Sequence, residues 1–348
     1  MIPLRVGLIG CGQIGRVVHL ETLRRLPNAQ VVSLADADSG RLKAAHAQFP
    51  IAKPFTDYRE LLDRNDADAV VICLPNALHA EAAIKALEKG RHVYLEKPLA
   101  INVEEGRKVL EAWRRSGRVG MIGFNYRYNP LHREFRRQLQ AGRIGELIGA
   151  RSVWTTAAHH APDWKTTRQT GGGVLLDLAS HHFDLIRFWF DQHVVEVYAS
   201  VRSHRFEGDT ATVQLRLTNG LLVEGFFSTG SIDHEQFEVY GVTGKLSFDR
   251  FNSWSVELTD PCKRSFPKRY FPQAISALPH LRFAINKLRA PGLEPSFAMA
   301  LARFVSAAQT GQQIHPDFDD GFESLAVVLA AEESASLGTP VALPRARS

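Results

Sequence analysis

Over the first third of the chain, short continuous apolar runs alternate with amphipathic stretches. Val6, Leu8 and Ile9 make the first run, and Val31, Val32, Leu34 and Ala35 the second. Further runs follow at 69–74, 92–95 and 119–123. Unbroken apolar runs of this length are what strands buried on both faces of a parallel sheet require. Between them, Leu42, Ala45 and Phe49 recur at helical spacing, Tyr58 to Leu62 reads as a short helix, and helices cover 79–89 and 103–116. Gly90 stands where a helix C-terminus favours glycine. Strand and helix alternating in this way predict a doubly wound α/β domain over residues 1–124.

From residue 125 the period changes. Residues 144–155, 194–201, 210–217, 221–227, 236–240 and 245–248 read as strands, with Val213, Leu215 and Leu217 alternating against Thr212, Gln214 and Arg216. Asn219-Gly220 is a hairpin signal between two of them. Strong helical patterns occur only near 174–190, 296–310 and 319–337. Residues 125–348 are therefore expected to form an α+β domain with a large, mostly antiparallel open sheet. Helices would cover one sheet face, and the other predicts self-association into a dimer or tetramer.

Composition sharpens this little. With 348 residues, 45% apolar and 23% charged, the chain is ordinary for a globular protein of two domains. No apolar run approaches the ~20 residues of a membrane span, and residues 4–9 lead straight into a glycine turn, which predicts no export signal. Cys11, Cys73 and Cys262 are widely spaced, so no metal site is expected, and the reading is cytoplasmic. Net charge is +5, with no recognition motif for nucleic acid.

The first run ends in Gly10-Cys11-Gly12-Gln13-Ile14-Gly15, and the second closes at Asp36. Gly10 suits the tight turn, Gly12 the approach of a pyrophosphate, and Gly15 close packing of helix on strand. Amides at the helix start would hold the phosphates, and Asp36 the adenine-side ribose. A carboxylate there favours NAD, with NADP as the alternative because Arg41 is the first cation beyond it. Two more strands end in Leu74-Pro75-Asn76-Ala77-Leu78-His79 and in Glu96-Lys97-Pro98. Ligands of open parallel sheets lie beyond such carboxyl ends, so Leu74, Pro75, Asn76, His79, Glu96 and Lys97 are assigned to the nicotinamide side.

Further on, Gly171-Gly172-Gly173 precedes an apolar helix carrying Asp177, His181 and Asp184 at i, i+4 and i+7, on one helix face. The glycines are read as freeing the backbone to approach a ligand. A carboxylate one turn from an imidazole can orient it and support its charged form, as a general base requires. His182 is rotated off that face and is rejected as the base.

These motifs, together with Asn125-Tyr126-Arg127, resemble those of the glucose–fructose oxidoreductase/inositol dehydrogenase (Gfo/Idh/MocA) family, from the N-terminus to the last helix. The resemblance implies a dehydrogenase acting on a sugar or cyclic polyol hydroxyl, with a Rossmann domain and a substrate-binding domain. By position, Lys97 matches the family's active-site lysine, Asp177 its aspartate and His181 its catalytic histidine. His181 would take the hydroxyl proton while Lys97 holds the oxygen, with Asp177 orienting either group. Asn125, Tyr126 and Arg127 are expected to edge the substrate site, though Arg127 equally suits a structural pin. His160 and Trp164 are further substrate candidates.

Residues 261–293 carry Lys263, Arg264, Lys268, Arg269, Arg282, Lys287 and Arg289 without an acid. They read as a solvated excursion or as a site for an anion such as a nucleotide-sugar diphosphate. The basic stretch thus leaves a nucleotide-sugar (UDP-sugar) dehydrogenase as one alternative; the resemblance implies another, an NAD-retaining glycosidase that runs oxidation, elimination and re-reduction on one sugar. A non-catalytic NAD-sensing regulator ranks last, since Lys97, Asp177 and His181 are all intact.

Overall fold

The computed structural model describes residues 2–157, 162–259 and 294–344. They form two compact units: Met1–Asn125 with Gln169–Gly171 and Ser296–Leu325, and Tyr126–Arg168 with Gly172–Pro295 and Ala326–Ser348.

In the first unit six strands lie in the order β3-β2-β1-β4-β5-β6, all parallel. They are β1 (Leu4–Ile9), β2 (Ala29–Ala35), β3 (Lys53–Phe55), β4 (Ala69–Ile72), β5 (His92–Leu95) and β6 (Gly120–Ile122). The apolar runs are the central strands: Val6, Leu8, Val70, Val71, Val93 and Leu95 have no exposed surface. β3 was not expected. It is an edge strand of Lys-Pro-Phe, and proline weakens the strand signal while being tolerated at an edge. The connecting helices are α1 (Glu21–Arg25), α2 (Ser39–Gln48), α3 (Tyr58–Asp63), α4 (His79–Glu88) and α5 (Val103–Ser116). Asn102 caps α5 by accepting the Glu105 N–H at 2.9 Å, and Gly117 ends it at φ 62°. Strand order reverses between β1 and β4, which places the ligand end of this sheet beside the glycine turn.

In the second unit eight strands run in the order β13-β12-β11-β7-β10-β9-β8-β14. They are β7 (Leu147–Thr155), β8 (Val194–Arg202), β9 (Thr210–Leu217), β10 (Leu222–Ser228), β11 (His234–Gly241), β12 (Gly244–Asp249), β13 (Glu257–Thr259) and β14 (Val341–Ala342). Among the described strands, only β7 and β10 pair in parallel, and every other neighbouring pair is antiparallel. The period-two reading of β9 holds, with Val213, Leu215 and Leu217 buried and the residues between them exposed. Helix α6 (Pro130–Gln140) contradicts the expectation that the only helices lay further on. Asn129 accepts the Leu131 N–H at 2.9 Å and Pro130 opens the first turn, a start signal that the charged run after it obscured. With α7 (Ser180–Phe190), α6 covers one sheet face through an aromatic core: Phe135 meets Trp189 at 4.9 Å and Phe237 meets Phe248 at 5.1 Å. The other face exposes Ile148, Tyr198, Leu222 and Phe226.

Helix α8 (Ser296–Thr310) and the first turns of α9 (Phe318–Leu337) belong to the first unit, a return of the chain that the expected division at residue 124/125 did not include. Phe304 of α8 packs edge-on against Tyr94 of β5 at 5.7 Å. Helical periodicity shows that such a helix has an apolar face, but not which sheet that face covers.

Candidate active site

In the first unit the glycine turn follows β1. Gly10 has φ 95°, and a Cβ there would lie 2.4 Å from the Cys73 carbonyl oxygen, so both conformation and space demand glycine. A Cβ on Gly15 would sit 2.0 Å from the Gly10 oxygen. At Gly12 a Cβ would meet nothing within 4 Å, leaving that backbone open to a ligand. The segment after it, Ile14–Leu20, is a π-helix rather than the expected α-helix. Wide turns of this kind recur at functional sites and leave no periodic signature. Asp36, at the end of β2, accepts the Cys11 N–H with Oδ2 and the Asp38 N–H with Oδ1, each at 2.8 Å. Arg41 lies on the same carboxylate, its Nη2 3.0 Å from Oδ1. A backbone with open space at Gly12 and a buried acid tied to the turn fit a dinucleotide. Cys11 is buried, and desolvation pushes its thiol up to about 12, so it is no nucleophile at neutral pH.

At the ends of β4 and β5, three residues assigned to the cofactor bond to protein groups. Asn76 donates from Nδ2 to the Gly171 oxygen at 2.7 Å. A Cβ on Gly171 would lie 2.4 Å from Asn76 Cβ, and one on Gly172 2.3 Å from the Lys165 oxygen. Those two glycines therefore permit close packing within the protein, not the ligand approach expected of them. His79, 1% exposed, directs Nδ1 to the Pro98 oxygen at 2.7 Å and Nε2 to the Leu74 oxygen at 2.8 Å. Burial holds its pKa below the usual imidazole value, against the two carbonyls that raise it. Glu96 Oε1 lies 2.6 Å from His19 Nε2. Lys97, half-buried, stands between Glu96 and Pro98.

In the second unit a second π-helical segment, Leu175–Ala179, carries Asp177 into α7. Lys165 Nζ donates to both Asp177 oxygens, at 3.0 and 2.9 Å. His181, 7% exposed, stacks on Tyr126 with centroids 4.7 Å apart and leans on Trp154 at 5.6 Å. Arg250 also lies over Tyr126, 4.8 Å from its centroid, and pairs with Glu235 and with Glu294 at 3.0 Å. His182 is fully buried between Ser152 Oγ, 2.6 Å away, and Glu235, and burial lowers its pKa, consistent with its rejection as a base. Asp184 forms a bidentate pair with Arg127 at 2.9 and 2.6 Å, with side chains 1% and 10% exposed. Of the two readings of Arg127, this geometry is that of a structural pin. Asn125 is likewise inward, donating to Ser296 Oγ at 2.7 Å. Trp164 lies beneath Lys165 Nζ at 5.3 Å, while His160 and the basic stretch 261–293 lie outside the described residues.

Lys165, His19 and Arg250 were missed. His19 had a legible signal, since it lies four residues beyond Gly15 and so on the same inner helix face. Lys165 and Arg250 become visible only once β-strand pairing and the tight Gly172 turn bring distant segments together.

Residues 4–124 match the model of an oxidoreductase family with an NAD-binding Rossmann fold, and residues 132–247 match the GFO/IDH/MocA C-terminal domain. A 1,5-anhydro-D-fructose reductase of Ensifer adhaerens is 30% identical over 96% of this chain and 97% of its own. A myo-inositol 2-dehydrogenase of Thermotoga maritima is 27% identical over 95% and 96%. Among solved structures, a levoglucosan dehydrogenase in complex with NADH and L-sorbose superposes with a TM-score of 0.85 over 99% of this chain and all of its own, at 23% identity.

Proposed function

Since this chain belongs to the Gfo/Idh/MocA family of NAD-binding oxidoreductases, we propose that it interconverts a sugar or cyclic polyol hydroxyl with the corresponding ketone. The observation that carries the reading is His181: a nearly buried imidazole stacked on Tyr126, one turn beyond a carboxylate fixed by Lys165. Oxidising a CH–OH group needs a base for the hydroxyl proton and a donor for the oxygen while its charge changes. His181 takes the proton on its ring nitrogen. By its match to the family's active-site lysine, Lys97 is assigned to hold the substrate oxygen, and Asp177, one turn before His181, to orient the imidazole. Tyr126 and Trp154 fix the ring plane, which limits the rotamers that the base samples. Bound NAD would supply the hydride acceptor, held by the amides around Gly12 and by Asp36.

The family relation leaves the substrate class open within sugars, inositols and nucleotide sugars. A panel of inositols, hexoses, 1,5-anhydro sugars and UDP-sugars, followed at the NADH absorbance band, tests the reading. Turnover of at least one member is expected, and the absence of NADH formation with every member would overturn it.

The open sheet face with Ile148, Tyr198, Leu222 and Phe226 is the surface on which a second copy would pack. The free thiols Cys11 and Cys73 suit a reducing cytoplasm, and no described helix is long and apolar enough to cross a membrane.

A further inference from the structure

Two buried histidines that no step above uses stand on either side of Lys97. His19, with no exposed surface, directs Nε2 to Glu96, the residue before the lysine. Its Nδ1 has no hydrogen-bond partner among the described residues, so the Glu96 contact is the ring's polar anchor there. Tyr94 and Phe297 hold the ring edge-on at 5.4 and 5.7 Å. His79 directs Nδ1 to the oxygen of Pro98, the residue after the lysine, and Nε2 to Leu74 at the end of β4. The two imidazoles come from different elements: His19 from the π-helical turn behind the glycine loop, His79 from the first turn of α4.

We propose that His19 and His79 are positioning residues that fix the Lys97 turn, one through the Glu96 side chain and the other through the Pro98 carbonyl. This rests on the reading that Lys97 serves the substrate oxygen. A single turn lysine on a four-carbon stem has wide freedom, and a misplacement of about 1 Å can cost about a hundredfold in rate. Anchoring the residues on both sides removes the backbone part of that freedom. It also ties the lysine to the segment that follows the phosphate-binding turn. Space filling alone would not need the ring nitrogens aimed at Glu96, Pro98 and Leu74.

Asparagine and glutamine separate the two roles. The amide nitrogen of Asn reaches the place of Nδ1, and that of Gln the place of Nε2. A neutral ring donates from one nitrogen only, and we take it to be Nδ1: His79→Asn then keeps the bond to Pro98, whereas His79→Gln loses it and sets its amide against Leu74 instead. At the other position His19→Gln keeps the bond to Glu96 and His19→Asn loses it. The expected result is a crossed order: kcat of His79→Asn exceeds that of His79→Gln by about fivefold or more, and kcat of His19→Gln exceeds that of His19→Asn by a similar factor. NAD dissociation constants, read by protein fluorescence quenching, should stay within about threefold across the four. Both members of a pair lose the same aromatic ring, so damage to packing cancels in the comparison. If one pair fails to fold, the order in the other decides. Equal kcat within the pairs, the same order at both positions, or kcat falling in step with NAD affinity would overturn the proposal. Lys97→Met is measured alongside. Wild-type kcat in that variant would defeat the underlying reading, whatever the histidine variants do.

Discussion

Asp36 carries more of the cofactor question than any other side chain. Its two oxygens accept from Cys11 N, Asp38 N and Arg41, so most acceptor positions of a carboxylate are in use. The Cys11 amide fixes the carboxylate to the glycine turn, and the Asp38 amide holds it from its own loop. Arg41, more than half exposed, offsets part of the charge that would otherwise repel a ribose phosphate. Arg41→Ala is therefore expected to sharpen the preference for NAD. The ratio of kcat/KM with NAD to that with NADP should rise about tenfold, the equivalent of about 1.4 kcal/mol. An unchanged or lower ratio would show that Arg41 does not bear on the choice. At the same scale, Arg127 and Asn125 show why residue type alone misleads. A guanidinium beside two tyrosines suits sugar recognition as well as it suits a buried ion pair. Only the position of Asp184 across the helix decides between them.

Among the elements, those with a burial-driven period were legible. The central strands β1, β4 and β5 are continuous apolar runs because both of their faces are covered, and β9 alternates because one face is open. Helices α5 and α8 match their expected ranges, 103–116 and 296–310. Elements held by pairing rather than by burial were not legible: β3 at one sheet edge and β13 and β14 at the edges of the other are only two or three residues long. The two π-helical segments also escaped notice, because a widened turn changes hydrogen-bond register without changing composition. One leads out of the glycine turn with His19 and the other bears Asp177. Of the candidate site, the motif residues were readable from spacing. Lys165 and Arg250 were not, since other segments bring them to Asp177 and Tyr126, whereas His19 carried a signal in its spacing from Gly15.

At the scale of the molecule, buried imidazoles shape the response to acid. Burial lowers the pKa of His79, His132 and His182 in the folded chain. Unfolded histidine titrates near pH ~6.5, so below that the unfolded chain takes up protons that the folded chain refuses. Stability is thus fully present above about pH 6.5 and falls as pH drops, by up to about 1.4 kcal/mol per pH unit for each histidine. Tm should be level between about pH 8 and pH 7 and decline below about pH 6, ahead of the carboxylates Asp68 and Glu81, whose lowered pKa values act at lower pH. A Tm that rises on acidification to about pH 5.5 would contradict this. The proposed reaction assigns the hydroxyl proton to His181 and the hydroxyl oxygen to Lys97. The most direct measurement is kcat and NAD affinity in His181→Ala and Lys97→Met with a turned-over substrate. We expect kcat to fall by about a hundredfold or more in each while the NAD dissociation constant changes by less than about threefold. Near-wild-type kcat in either variant would contradict the account.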